Sequence, residues 1–298
     1  MCILMATTAH PKYSLILISN RDEFYERKTH LSCLNHDDFI LSPFDMSSNS
    51  KGEQSHGTWC GVNKEGKVGV ILNLRLSDST KTATSKTPFS RGAIPIEYLQ
   101  DKGSDFQDWN SYKKFNKHYP YLSETGSFNF FYGDSRVGAY KVIDSLGNDY
   151  SVLTDTNPYM VISNDLVNSS EKWGKVKLAE DLLHKMVLSS LDDEEDIILE
   201  KCFALASNSV QDQPATKQEA ITSACIYVPP LLVPENKDLG ASLPCGKYYG
   251  TRSQIVTLVS EDKKLITFVE HVVHDSDAEA MIFTPEKPKS IVKFHIKL

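Results

Sequence analysis

Cys2 directly follows the initiator methionine, and Asn20-Arg21-Asp22-Glu23 closes the second apolar run of the chain. Cysteine is small enough for removal of Met1 to be expected, and that removal leaves a thiol and a free amine on one residue. An α-amino group has a pKa of about 7.7 to 8.0, so a neutral fraction exists near pH 7. That amine can take the proton of its own side chain, directly or through a water, and no separate histidine is needed. A guanidinium at Arg21 favours the thiolate, and a carboxylate at Asp22 orients the amine. The amides of Asn73 and Asn164 are suited to donate to a developing oxyanion. The chemistry is attack of a cysteine on a carbonyl, in amide hydrolysis or acyl transfer. Asn20, Glu23, Arg75 and Arg252 complete the candidates as substrate-binding residues, either arginine being suited to an anionic part of the substrate.

Each piece has a plainer reading. A cysteine at position two is usually an accident of sequence, a polar group at a strand end is usually a turn, and Arg21 beside Asp22 or Glu23 is most often a surface ion pair. The case rests on convergence of separate stretches, so the elements that carry them matter. Met1 to Thr7 and Tyr13 to Ile18 read as two antiparallel strands, which bring Cys2 and Asn20 to Glu23 to one end of a sheet. Residues 24 to 57 read as a long polar loop, of a length that usually has a function. Thr58 to Asn63 and Lys67 to Arg75 flank Lys64-Glu65-Gly66 as a hairpin. Thr80 to Thr87 reads as a mobile loop. Ser90 is placed to cap a helix from Arg91, and a shorter helix is expected over Asp105 to Asn116.

Four short strands follow in a meander: Phe128 to Tyr132, Gly138 to Ile143, Ser151 to Thr154 and Tyr159 to Ser163. Trp173, Val176, Leu183, Val187 and Leu191 mark the apolar face of a helix over Glu171 to Leu191, capped by Ser169 or Ser170. A second helix, Ile197 to Ala206, follows an acidic run that suits its N-terminus. Ser223 to Val228, Ser253 to Val259 and Leu265 to His271 read as strands, Pro229 to Gly246 as an insertion loop, and Ile291 to Leu298 as an edge strand. This order lacks the βαβ alternation of a parallel sheet. It predicts an α+β fold of two mainly antiparallel sheets packed face to face under helices.

Composition bounds the function. The 298 residues carry a net charge of -7, with 40% hydrophobic and 24% charged residues, as in a soluble globular protein. A nucleic-acid surface would need a basic patch, so nucleic acid is excluded as a partner. No apolar run approaches the ~20 residues of a membrane helix. The N-terminus has neither signal-peptide nor transit-peptide character, so the cytoplasm is the expected compartment, with mitochondrial or Golgi-associated placement as the alternatives. Six scattered cysteines without a CxxC pair suggest neither a zinc site nor a disulfide framework.

At the same residues the sequence resembles the transport and Golgi organization protein 2 family, also called the NRDE family. The resemblance is carried by Asn20-Arg21-Asp22-Glu23 after Met-Cys, Gly57-Thr58-Trp59, Asn73-x-Arg75, Ser90-Arg91-Gly92, Ser163-Asn164 and Tyr249-Gly250-Thr251-Arg252-Ser253. The matches keep the family's order from residue 1 to about residue 270, so one domain over 1–298 is expected. His56 stands where the family usually has a glycine. That family in turn resembles the cysteine N-terminal-nucleophile hydrolases, such as bile-salt hydrolase and penicillin V acylase. The resemblance implies a four-layer αββα sandwich, Cys2 as nucleophile, Arg21 and Asp22 as its neighbours at a different spacing, and Asn73 and Asn164 at the oxyanion site.

The family is linked to Golgi organisation and secretion, to haem mobilisation, and to acyl-CoA or lipid metabolism. Three functions follow. The first is a cysteine amidohydrolase or acyltransferase acting on a small acyl or amide molecule, acyl-CoA-like in one version. The second is a non-catalytic haem or acyl-CoA binding and trafficking protein. The third is a role in Golgi organisation and secretion. No metal or cofactor is required by the first. Haem enters only as a ligand of the second, with an axial His, Cys, Met or Tyr.

Overall fold

The apolar alternation of the first two runs builds the centre of a sheet. In the computed structural model, which describes residues 2–46, 56–75, 89–209, 218–233 and 245–298, β1 (Ile3–Thr7) and β2 (Tyr13–Phe24) pair antiparallel, with Ile3 opposite Asn20. There follow β3 (Thr29–Asn35), β4 (Ile40–Asp45), β5 (Cys60–Asn63), β6 (Lys67–Asn73), α1 (Ala93–Gln100), α2 (Tyr112–His118), β7 (Phe128–Asp134), β8 (Ala139–Asp144), β9 (Asp149–Val152) and β10 (Tyr159–Ile162). The chain continues with α3 (Gly174–Leu188), α4 (Glu195–Ala206), α5 (Gln218–Ala224), β11 (Leu231–Leu232), β12 (Tyr248–Ser260), β13 (Leu265–Val272) and β14 (Ser290–Lys297). One antiparallel sheet has the order β10-β1-β2-β12-β13-β14, with β11 on β12, and the other runs β3 to β9 in sequence order.

Side-chain alternation sorts residues between two cores. Leu4, Ala6, Leu15, Leu17, Ile255 and Phe268 point between the sheets and share one apolar cluster with Val62, Val70 and Phe131. Ile3, Met5, Ile16, Ile18 and Val256 point outward and meet Val176, Leu183, Ile198 and Cys202 of α3 and α4. Full burial of each such side chain is worth about 1.5–3 kcal/mol. Helix α1 covers β5 and β6 from the other side. The layers are therefore helix, sheet, sheet, helix, the expected αββα order. Among the described residues no helix is long and apolar enough to cross a membrane.

Several local expectations are corrected. Residues 24–57 are not one loop: β3 and β4 form an antiparallel pair there. β3 is partly exposed and mostly polar, so it lacks an apolar signature. Pro43 within β4 lies opposite the irregularity between His30 and Cys33, where no ladder N–H is required. β10 leaves the expected meander and pairs with β1 in the other sheet. Ser223 to Val228 is not a strand, because α5 runs to Ala224 and the apolar run after it hydrogen-bonds to Asn208 and Thr251. A short buried apolar run does not declare its own geometry.

Helices α1, α2 and α3 start later than expected, and α4 starts two residues earlier. Gly92, not Ser90, is the N-cap of α1, while Ser90 Oγ accepts from the Gly92 N–H at 3.2 Å. Ser111 caps α2 by accepting from the Lys114 N–H, which splits the segment expected as one helix over 105–116. Trp173 is the N-cap of α3. The loop expected over Thr80 to Thr87, and residues 234–244 of the expected insertion, lie outside the described residues.

Candidate active site

The tetrapeptide Asn20 to Glu23 lies inside β2, not at its end, and pairs with β12 along its length. Strand alternation therefore splits it between two faces. Asn20 and Asp22 point to the helical side; Arg21 and Glu23 point between the sheets. Continuing the β1 ladders, by one step on β2 and by two on β10, places Cys2 opposite Arg21 and, on the other side, opposite Asn164. Cys2 falls in phase with Leu4 and Ala6, so its side chain shares the inter-sheet face with Arg21, and it packs against that core.

Cys2 is partly buried. Its carbonyl accepts from Ser163 Oγ at 2.6 Å, which ties it to the end of β10. Burial pushes the thiol pKa up; a hydrogen bond from the Asp22 backbone N–H and the charge of Arg21 pull it back down. The guanidinium of Arg21 lies 4.2 Å from the centre of the Trp59 ring, with Glu23 at 3.8 Å and Asp45 at 3.7 Å. Arg27, which sequence reasoning left out, bonds Asp45 Oδ2 at 2.7 Å and reaches Glu23 at 3.7 Å. These carboxylates hold two guanidinium groups together beside the inter-sheet face.

Asp22 is anchored on the opposite face. Thr251 Oγ1 donates to Asp22 Oδ1 at 2.6 Å, and Lys175 of α3 stands 3.9 Å from Oδ2. Burial pushes the Asp22 carboxyl up and the Lys175 amine down; the attraction between the two opposes both shifts. Sequence reasoning missed Lys175, whose only signal was a lysine in phase with the apolar face Trp173, Val176 and Leu183. Asn20 is fully buried, and its Nδ2 donates to the carbonyls of Ala206 and Ile226 at 2.7 and 3.0 Å, closing α4 against the sheet.

The two asparagines meet. Asn164 Nδ2 donates to the Asn73 carbonyl at 2.5 Å, and the Arg75 N–H returns a bond to the Asn164 carbonyl at 2.8 Å. The end of β6 is thereby stitched to the end of β10. An amide nitrogen carries two N–H groups, so one of Asn164's is accounted for by Asn73. Asn129 of β7, also missed, donates to the carbonyls of Ser163 and Asp165 at 3.2 and 2.7 Å and fixes the same turn. Its signal was a lone amide inside the aromatic run Phe128 to Tyr132.

Arg75 is exposed at the rim. Arg252 is the bulged residue of β12 between Thr251 and Ser253. Its Nε donates to the His274 carbonyl at 3.1 Å and a second N–H to the Arg27 carbonyl. Burial, then the nearby Arg21, pushes its pKa down to about 10. His56 is exposed and stacks on Phe44 at 5.2 Å. Among the described residues no group of three or more His, Cys, Asp or Glu is placed to hold a metal ion.

The structure thus brings Cys2, Arg21, Asp22, Asn73 and Asn164 to one end of the two sheets. Its fold is that of the N-terminal-nucleophile hydrolases. A mutant of conjugated bile acid hydrolase from Clostridium perfringens superposes with a TM-score of 0.50 at 9% identity, over 99% of this chain and 92% of that one. The family model for Transport and Golgi organisation 2 matches residues 1–275, and the chain belongs to that family. It is 47% identical to uncharacterized protein YGR127W of Saccharomyces cerevisiae over the whole of both chains. It is 27% identical to the Transport and Golgi organization 2 homolog of Mus musculus, over 89% of this chain and 88% of that protein.

Proposed function

We propose that the protein is a cysteine N-terminal-nucleophile amidohydrolase or acyltransferase acting on a small acyl or amide compound, an acyl-CoA-like thioester among the candidates. The observation that carries this is the setting of Cys2. It lies on the inter-sheet face between Arg21 and Asn164, with its carbonyl held by Ser163 Oγ at 2.6 Å. After removal of Met1, the Cys2 sulfur attacks the substrate carbonyl carbon and its proton passes to the Cys2 amine. The carbonyl oxygen becomes an oxyanion, to which the second N–H of Asn164 donates. Collapse breaks the bond to the leaving group, which takes the proton from the amine. Water, or an acceptor amine in a transferase, then cleaves the acyl thioester. Asp22, fixed by Thr251 and Lys175, holds the amine from the helical side.

A second reading is favoured by one observation: Cys2 is partly buried and packs against the inter-sheet core. A shielded thiol suits a carrier that uses the same site for an acyl-CoA, a lipid or haem. A role in Golgi organisation, as the family's name carries, would then follow from cargo. Titration with an acyl-CoA and with haem, together with an acyl-release assay, separates the two. The enzyme reading predicts release that disappears in Cys2→Ala; binding without release, unchanged in Cys2→Ala, supports the carrier.

A further inference from the structure

Arg91 belongs to the Ser90-Arg91-Gly92 motif, to which neither reading gives a task. Its placement is specific. Nη1 donates to the Ser127 carbonyl at 3.1 Å, and the same carbonyl accepts from the Leu74 N–H at 3.0 Å. Leu74 lies between Asn73 and Arg75, the two residues that hold Asn164. The guanidinium is therefore fixed at the end of β6, where Cys2 and Glu23 both act on it electrostatically. Gly126 leaves it room, since a Cβ there would come within 3.2 Å of Nη1.

The other arginines near Cys2 are engaged. Arg27 bonds Asp45, Arg21 lies between Glu23 and Asp45 against Trp59, and Arg252 donates to two backbone carbonyls. Arg91 differs. Among the described residues it makes one hydrogen bond, to a neutral carbonyl, and has no carboxylate within ion-pair distance. A guanidinium has five N–H groups, so four of Arg91's go unused by the described residues, and the residue is only partly exposed. Burial, and next the charge of Arg27, lowers its pKa to about 10. It stays charged at neutral pH, and no carboxylate among the described residues pairs with it.

We propose that Arg91 is an anion-binding residue of the cleft, taking a carboxylate or phosphate group of a ligand that lies against Cys2. A planar fork with unused donors matches either group bidentately. The proposal rests on the reading that the ligand occupies the Cys2 cleft; it needs no turnover.

Cys2 itself supplies the reporter. Iodoacetate and iodoacetamide alkylate a thiol in the same way and differ in charge, so the ratio of their rates at Cys2 cancels changes in thiol pKa and access. Arg91→Met, which keeps the apolar stem, is expected to lower that ratio roughly tenfold, the effect of one nearby charge at intermediate dielectric. Arg91→Lys is expected to retain much of it. Equal ratios in wild type and Arg91→Met would overturn the proposal. Pyrophosphate and acetate at matched ionic strength should slow iodoacetate in wild type only, and whichever acts at lower concentration identifies phosphate or carboxylate as the preferred group. If Cys2 resists both reagents, thermal unfolding decides. Pyrophosphate should raise the Tm of wild type and not of Arg91→Met, and equal shifts would refute the site. Arg91-dependent stabilisation of a protein that never releases an acyl group would sink the enzyme reading and leave the anion site standing.

Discussion

Lys175 of α3 and Asp22 of β2 approach to 3.9 Å with no exposed surface on either side chain. The pair joins the outer helical layer to the strand that flanks Cys2. Thr251 bonds the other carboxylate oxygen at 2.6 Å, so Asp22 has a fixed orientation. The surroundings of Cys2 are thus built by three separate elements.

Breaking that pair from one side leaves a buried charge. Lys175→Met should cost about 3–5 kcal/mol in chemical denaturation. Asp22→Asn combined with Lys175→Met should cost clearly less than the sum of the two single changes. A neutral Lys175→Met, or strict additivity, would show that the two groups are not a coupled ion pair.

His274 sets an acid limit. It is fully buried, stacks on Tyr25 at 4.5 Å and has Nε2 3.0 Å from Tyr227 Oη. Burial, and then the charge of Arg252, pushes its pKa down to about 4. The unfolded chain binds a proton near pH 6.5, the folded chain only near 4. Stability is therefore lost as pH falls through that window, by about 1.4 kcal/mol per pH unit from this group. His271, also lowered to about 4 by burial, adds in the same direction. Urea midpoints between pH 7 and 4 should show this slope, and His274→Gln should flatten it; an unchanged slope would remove His274 as a cause.

Two glycine-containing motifs meet backbone to backbone. A Cβ on Gly57 would lie 2.8 Å from the Gly92 carbonyl carbon, and one on Gly92 would lie 3.0 Å from Gly57. The Thr58 N–H bonds the Gly92 carbonyl at 3.0 Å across this contact. Neither backbone can move aside as a side chain would. Gly57→Ala and Gly92→Ala should each destabilise by about 1–3 kcal/mol. The double variant should not cost twice as much, because both changes open the same gap. A tolerated Gly57→Ala would contradict the contact.

Much of this was legible in the residues. The β5–β6 hairpin followed from Lys64-Glu65-Gly66, and Gly66 takes φ of +83° there. The edge strand at Ile291 to Leu298 was expected where β14 runs. The convergence of Cys2, Asn73 and Asn164 followed from their places at strand ends. What the sequence hid was sidedness. Asn20 to Glu23 reads as a turn because it is polar, yet every second residue faces a different layer of the molecule. Partners distant in sequence, such as Lys175 for Asp22 and Asn129 for Ser163, satisfy those buried polar groups and leave only faint local signals. Pro43 concealed β4 for a similar reason: its permission to sit in a strand comes from a bulge in the neighbouring one.

The central claim is that Cys2 is the nucleophile of a processed N-terminus. Intact-mass analysis of the protein from cells, before and after treatment with an electrophilic acyl analogue, tests it most directly. The expected chain begins at Cys2 and gains one acyl group there, with no gain in Cys2→Ala. A chain that retains Met1, or an adduct that forms equally in Cys2→Ala, would contradict it.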